Sequence, residues 1–501
     1  MTWMDNAADV INKLIEPYWI FMIFLLVGAG IYFGFRTLVV QVRYVPEMFR
    51  AIKEKPSDVS PGVKGISAFK AFTISAASRV GTGNVAGVAV AITTGGPGAV
   101  FWMWMLAIVG GATSFVESTL AQLYKIRGKD SYIGGPAYYI TRGLGPRWRW
   151  MAVLFALAIT FTYGFVFNAV QSNSITAAVA SSTGNDSIES RTIIGLVLAA
   201  VAGVIIFGGV QRISKLTQVI VPVMAVLYII IGLAVLIMNA SRVPEMIALI
   251  FEYAFGFREI AAGGLGTEIM MGARRGLFSN EAGMGSTPNA AATASVSHPC
   301  KQGLIQTLGV YFDTLVVCTI TAVIILLSNP TYGSGAEGTT LTQSALSAEL
   351  GAWATHAVTV IIFFLAFSSI LGNYYYAEAN VPFLTKSAAA LPIVRVLVVL
   401  CVVGGAIGSV PLVWVLADVF SAAMATVNIV AILPLGGVAV ALLSNYSKQK
   451  ALGINPVFHR DDLPNVRGYD RIECWDGSDP MTVPAPEDQK KRQQIGLAAH
   501  D

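Results

Sequence analysis

The chain has 501 residues, 55% of them hydrophobic and only 12% charged, with a mean hydropathy of +0.65 and a formal net charge of +4. Soluble domains carry about 25% charged residues, so this composition excludes an ordinary globular chain, and so small an excess of positive charge makes no case for nucleic acid. The four cysteines (Cys300, Cys318, Cys401, Cys474) and four histidines (His298, His356, His459, His500) show neither CxxC nor metal-ligand spacing; no disulfide, metal cluster or organic cofactor is expected.

The N-terminal stretch MTWMDNAADVINKLIEPYW lacks the positive region and small-residue cleavage site of a signal peptide. Hydrophobic segments follow at about 18–40, 66–92, 97–125, 150–180, 192–209, 216–239, 260–298, 303–328, 354–383, 391–409 and 412–444. These eleven spans predict an all-α polytopic membrane protein. Basic residues fill alternate joints: Arg43, Arg50, Lys53, Lys55 and Lys64 in the first, then Lys125, Arg127, Lys129, Arg142, Arg147 and Arg149 in the third, then Arg212 and Lys215 in the fifth. The joints Thr93–Gly96 and Asn329–Ala352 hold none, and Ser181–Ser190 holds none before Arg191. That alternation predicts the N-terminus outside and the C-terminus in the cytoplasm. The sixth joint departs from it with Arg242 and Arg258, offset by Glu245, Glu252 and Glu259; the piece 242–260 reads as a short amphipathic element at the outer face. Residues 446–501 are polar and proline-containing and read as a flexible cytosolic tail beyond a transmembrane domain of residues 1–445.

Two spans are interrupted. Within 75–98, Gly81, Thr82, Gly83 and Asn84 place helix-loosening residues in mid-span, and Phe278–Ser286 (FSNEAGMGS) does the same about two hundred residues later. Setting the first helix (18–40) aside leaves two halves of five helices, about 66–239 and 260–444, each opened by an interrupted helix and of opposite orientation. Interrupted helices at matching places in two inverted halves point to a transporter's binding site. Gly83 and Gly87 also make a GxxxG, so small-residue packing is the competing explanation. In the functional reading the opened turn offers N–H groups to a carboxylate and carbonyls to a cation, with Asn84 adding a side-chain oxygen. At the second break Gly283 and Gly285 give the backbone room, and Phe278 and Met284 would cap a small ligand; a kink without a ligand is the alternative.

Polar side chains occur elsewhere in the spans. Phe167 and Gln171 share a helix face, as do Ser369 and Asn373, with Ser368 adjacent. Gln171 suits either interhelical bonding or a substrate contact, and the serines either their own i−4 carbonyls or a sodium shell. Arg79, Glu117, Glu268, Arg274, Arg275, Glu281, Asp313 and Glu378 lie at membrane depth, where they should pair or line water. No carboxylate is expected to stand alone at a break, and one or more of Tyr374, Tyr375 and Tyr376 is expected in an interfacial belt. The spans contain no nucleophile–base pair or HExxH, so an enzyme is not expected.

The strings RVGTGNVAGVA, GGPGAVFWMWMLAIVGGATSFVE, GGPAYYI and RGLFSNEAGMGS together resemble the alanine or glycine:cation symporter family over residues 15–445. The resemblance implies a LeuT-type fold of inverted five-helix repeats preceded by one extra helix, and sodium-coupled uptake of alanine or glycine at the plasma (inner) membrane. It places Gly83, Asn84, Phe167, Gln171 and Phe278 at the substrate, and the opened turns and the polar face of the ninth helix add Thr82, Gly283 and Asn373 to the expected contacts. Sodium, the coupling ion, falls on the carbonyls of Ala77 and Val80 with the hydroxyls of Ser368 and Ser369. Asn373 departs from a tryptophan found in some members, which opens the choice of substrate. The expected protein is a monomeric symporter working by alternating access; proton coupling is the nearest alternative and a channel the more distant one.

Overall fold

A computed structural model describes residues 3–56, 58–60, 63–128, 131–256, 264–333 and 338–497. Lys129, Arg258 and Glu259 of the joints, and residues 334–337 of the long joint, lie outside the described residues. Among the described residues, nine helices are long and apolar enough to cross a bilayer. With the two interrupted segments, Ala68–Gly95 and Leu265–Thr293, they account for every expected span. The protein is thus a multi-pass helical one, with only two short antiparallel strand pairs, Asp58–Ser60 with Val63–Lys64 and Ile126–Arg127 with Tyr132–Ile133, among the described residues. Two of the helices, Ile188–Ile206 and Ala390–Ile407, are only 22% buried over their apolar window. Their outward Leu196, Val197, Val204, Ile393 and Leu400 are exposed, as a lipid-facing surface requires.

The interior is organised around the interrupted segments. Gly98–Leu123 packs against Pro299–Tyr311 and Leu265–Asn280, and Trp353–Leu384 packs against Phe167–Thr183 and Ala68–Arg79. The last contact depends on Gly372, where a Cβ would come within 2.8 Å of the Ser78 backbone nitrogen. With only hydrogen there, the helix lies directly on the backbone of the first interrupted segment. At their far ends the two interrupted segments are tied by Ser295 N donating to Ile66 O at 2.9 Å.

Four features differ from the sequence reading. The first helix runs Trp3–Arg36, starting about four turns before its apolar stretch, because its polar N-terminal turns are helical too. The last span divides into Val410–Ile432 and Gly436–Ala451 at Pro434, whose ring and missing N–H stop a helix. The long joint contains the helix Thr339–Leu350, which caps the first interrupted segment through Thr342 Oγ1 to Val85 O at 3.2 Å. All three tyrosines 374–376 are buried rather than interfacial.

The tail also differs: its described part is seated on the helices. Trp475 is fully buried and donates from Nε1 to Gln122 O at 3.0 Å, while Phe458 N donates to Ser297 O at 2.9 Å. Around them lie Arg142–Glu473 at 2.8 Å, Tyr132 Oη to Asp479 at 2.7 Å and Arg492–Asp462 at 2.8 Å. The Lys125 ammonium sits 3.9 Å from the Tyr132 ring centre and 4.9 Å from that of Trp475, and burial pulls it down to about 8. Charged residues that read as solvated in the sequence find partners on distant helices. Trp475→Ala removes the anchor at a cost of about 3–5 kcal/mol. Amide hydrogen exchange at Phe458 and Arg460 should then quicken by more than about a hundredfold; unchanged protection would mean that Trp475 does not hold the tail.

Candidate functional site at the paired helix breaks

The first helix of the pair begins at an N-cap, Ser67, whose side chain accepts from Lys70 N at 3.2 Å, and ends at Arg79. Val80 leaves helical geometry (φ −79°, ψ 82°), and the chain resumes as a wide turn over Gly83–Gly87. Side chains take up the freed donors: Gly81 N binds Asn84 Oδ1 at 3.0 Å, and Thr82 N binds Gln171 Oε1 at 3.3 Å. Thr82 Oγ1 is buried and has no hydrogen-bond partner among the described residues.

On the other side of this break, Ser369 Oγ lies 2.7 Å from Ala77 O and 3.0 Å from Leu365 O, and Ser368 Oγ donates to Leu365 O at 2.8 Å. A hydroxyl has one proton. Ser369 thus has one proton for Ala77 O and Leu365 O, the second of which also accepts from Ser368, and these clustered oxygens are an arrangement suited to a hard cation. Sequence reading named Ala77, Val80 and the two serines; the Leu365 carbonyl, a backbone group, left no signal. Val80 itself is buried at the point where the helix opens.

The second helix of the pair ends at Asn280 and resumes at Thr287. Between them Glu281, Gly283 and Gly285 have φ of 58°, 85° and 81°, and at Gly283 and Gly285 only glycine adopts this without strain. Glu281 stands in this break, but not alone. Glu281 accepts from Ser78 Oγ and Ser286 Oγ, each at 2.7 Å. Gly283 points away from the first break: its N–H donates to Glu117 at 3.2 Å and its carbonyl accepts from Asn428 at 2.9 Å.

The two breaks are stitched together. Asn84 Nδ2 donates to Asp313 Oδ1 at 2.6 Å and to Ser279 Oγ at 3.2 Å; Ser279 Oγ in turn donates to Asp313 Oδ2 at 2.6 Å. Arg79 bridges to Thr287 Oγ1 at 2.9 Å and Gln306 Oε1 at 3.0 Å. The Asn84–Ser279–Asp313 cluster escaped the sequence reading, since its members come from three segments and only Asp313 was marked as ionisable.

An aromatic stack covers one side of the breaks. Ring centroids of Tyr163–Phe167, Phe167–Phe278 and Phe278–Trp414 are 4.6, 4.6 and 4.8 Å apart. The Arg275 guanidinium lies 4.6 Å from the Trp414 ring centre and pairs with buried Asp418, to which Arg274 adds a second charge at 3.6 Å. Beyond Trp414 is a cavity of about 200 Å³ lined by Asn173, Ser174, Arg191, Thr339 and Trp414. Met284 Sδ accepts from Tyr163 Oη at 3.4 Å, and Asn373 meets Ser78 at 2.6 Å. The structure thus brings Ala77, Thr82, Gly83, Asn84, Phe167, Gln171, Phe278, Ser369 and Asn373 together around the first break, with Val80 at the opening itself, leaves Ser368 bonded to its own helix, and sets Gly283 apart.

A fold with this arrangement is known. The structure of MhsT in complex with L-phenylalanine superposes with a TM-score of 0.54 over 84% of this chain and 96% of that one, at 13% identity, so the LeuT-type architecture is shared. The chain is 50% identical to the probable sodium/glutamine symporter GlnT of Bacillus subtilis over 96% of its length and 98% of the relative's. It is 49% identical to the amino-acid carrier protein AlsT of the same organism over 93% and 97% of the two chains. Against the sodium/alanine symporter AgcS of Methanococcus maripaludis it is 38% identical over 87% and 96%. The model of the sodium:alanine symporter family matches residues 1–460, and the chain belongs to that family.

Proposed function

We propose that the protein is a sodium-coupled symporter that brings a small neutral amino acid, alanine or glycine, into the cell by alternating access. The observation that carries this reading is the cluster of Ala77 O, Leu365 O and Ser369 Oγ, which joins the first break to Trp353–Leu384. A sodium ion there satisfies all three oxygens and fixes the break against that helix. The substrate carboxylate takes the Thr82 N–H that Gln171 now holds, and the released Gln171 oxygen turns to the substrate ammonium. Filling both sites joins the interrupted segments to the surrounding helices, so that one bundle rocks as a unit. In this reading the protein sits in the plasma (inner) membrane as a monomer, N-terminus outside and C-terminus in the cytoplasm, an orientation that the alternating basic joints support.

A proton-coupled symporter is the second reading. It is favoured by one observation: the described hydrogen bonds to the Asp313 carboxylate come from neutral donors, Asn84, Ser279 and Thr314.

Reconstituted into liposomes, the protein should accumulate labelled alanine under an inward sodium gradient; accumulation driven by an inward proton gradient alone would favour the second reading. Asn84→Ala and Gln171→Ala should each reduce sodium-driven uptake below about a tenth of wild type with membrane insertion intact, and full transport by either would remove it from the site. At Gly81 an added Cβ would meet the Ser369 hydroxyl and the Gln171 carboxamide, whereas at Gly87 it would lie 3.6 Å from the Trp414 ring, an ordinary contact. Gly81→Ala should therefore abolish uptake and Gly87→Ala preserve it; the reverse order would place the binding centre elsewhere.

A further inference from the structure

Asn373 is fully buried, and its amide is engaged at one end only. Its Oδ1 lies 2.6 Å from Ser78 Oγ, and its Nδ2 has no hydrogen-bond partner among the described residues. Ser78 also stands 2.7 Å from the Glu281 carboxyl. One hydroxyl proton serves both contacts, so Ser78 anchors a single end of the amide and the other end is left over, whichever way the amide is turned. A buried amide end without a partner costs about 1–3 kcal/mol unless a ligand supplies one.

The surroundings identify that ligand. Asn373 lies one helical turn beyond Ser369, on the face that touches Ala77. Tyr376, on the next turn of the same helix, packs on Tyr163 at 5.0 Å between centroids, and Tyr163 packs on Phe167 at 4.6 Å. Asn373 and Tyr376 thus set a polar group beside an aromatic wall on the helix that packs on the first break. Building on the symport reading above, we propose that Asn373 is a specificity-determining residue that extends the substrates beyond alanine and glycine, its free amide end pairing with the side-chain carboxamide of a larger amino acid. A carboxamide offers both a donor and an acceptor, and so matches either end of the Asn373 amide. A side-chain carboxylate offers acceptors alone and meets the Glu281 carboxyl; an aliphatic side chain leaves the amide unpaired.

The test is a competition series in proteoliposomes under an inward sodium gradient, with labelled alanine and unlabelled glutamine, glutamate or leucine. For wild type, glutamine should compete at about tenfold lower concentration than leucine or glutamate, the effect of one neutral hydrogen bond between buried partners. Asn373→Leu should erase that preference, which is read as a ratio so that any common loss of rate cancels. If Asn373→Leu is too slow to assay, ligand-induced thermal stabilisation with sodium present gives the same ratio; if it does not fold, Asn373→Thr replaces it. Glutamine competing no better than leucine in wild type, or a variant retaining the preference, overturns the assignment while symport stands. Failure of any amino acid to accumulate with sodium overturns the symport reading and this inference with it.

Discussion

A backbone opened in the middle of a bilayer must have its polar groups satisfied by protein, and the rest of this structure follows from that requirement. In water the N–H groups of Gly81 and Thr82 would be solvated at little cost. Here they are bound by Asn84 and Gln171, and the carbonyl of Ala77 by Ser369. Asn84 comes from the opened segment itself and the other two from Phe167–Thr183 and Trp353–Leu384, so opening one helix enlists two others. Gly372 permits the closest of these, because the Ser369 hydroxyl reaches Ala77 only when the two helices touch at backbone distance.

Charge obeys the same constraint. Glu281 is held by serine hydroxyls, Asp313 by Asn84 and Ser279, Glu117 by Asn428 and the Gly283 amide, and Arg79 by Thr287 and Gln306. These contacts run between interrupted segments and their supports, where buried ionisable groups are costly unless met by several directed partners. Toward Trp414 the pattern changes to a direct ion pair, Arg274 and Arg275 on Asp418, backed by cation–π contact. The centre is thus polar and neutral in its partners, while the aromatic cover is locked by full charges.

Much of this was legible in the sequence, for physical reasons. Gly81–Asn84 and Phe278–Ser286 betray themselves because glycines and small polar residues are poor choices for an uninterrupted span, and Ser369 and Asn373 share a face by simple helical spacing. The unread features have partners that local pattern does not encode. Leu365 acts through its carbonyl, which every residue has. Asp313 belongs with Asn84 only once the fold joins them. Glu281 read as one more ionisable residue because a left-handed glutamate leaves no mark on composition. The tail read as flexible because Arg142–Glu473 and the burial of Trp475 against Gln122 span more than three hundred positions.

The central claim is that substrate and sodium are bound by the same opened backbone. It is tested most directly by titrating alanine into the purified protein at a series of sodium concentrations, and sodium at a series of alanine concentrations. Shared use of the first break predicts that each ligand tightens the other by the same factor, as linkage demands. An alanine affinity that does not change with sodium would contradict the account.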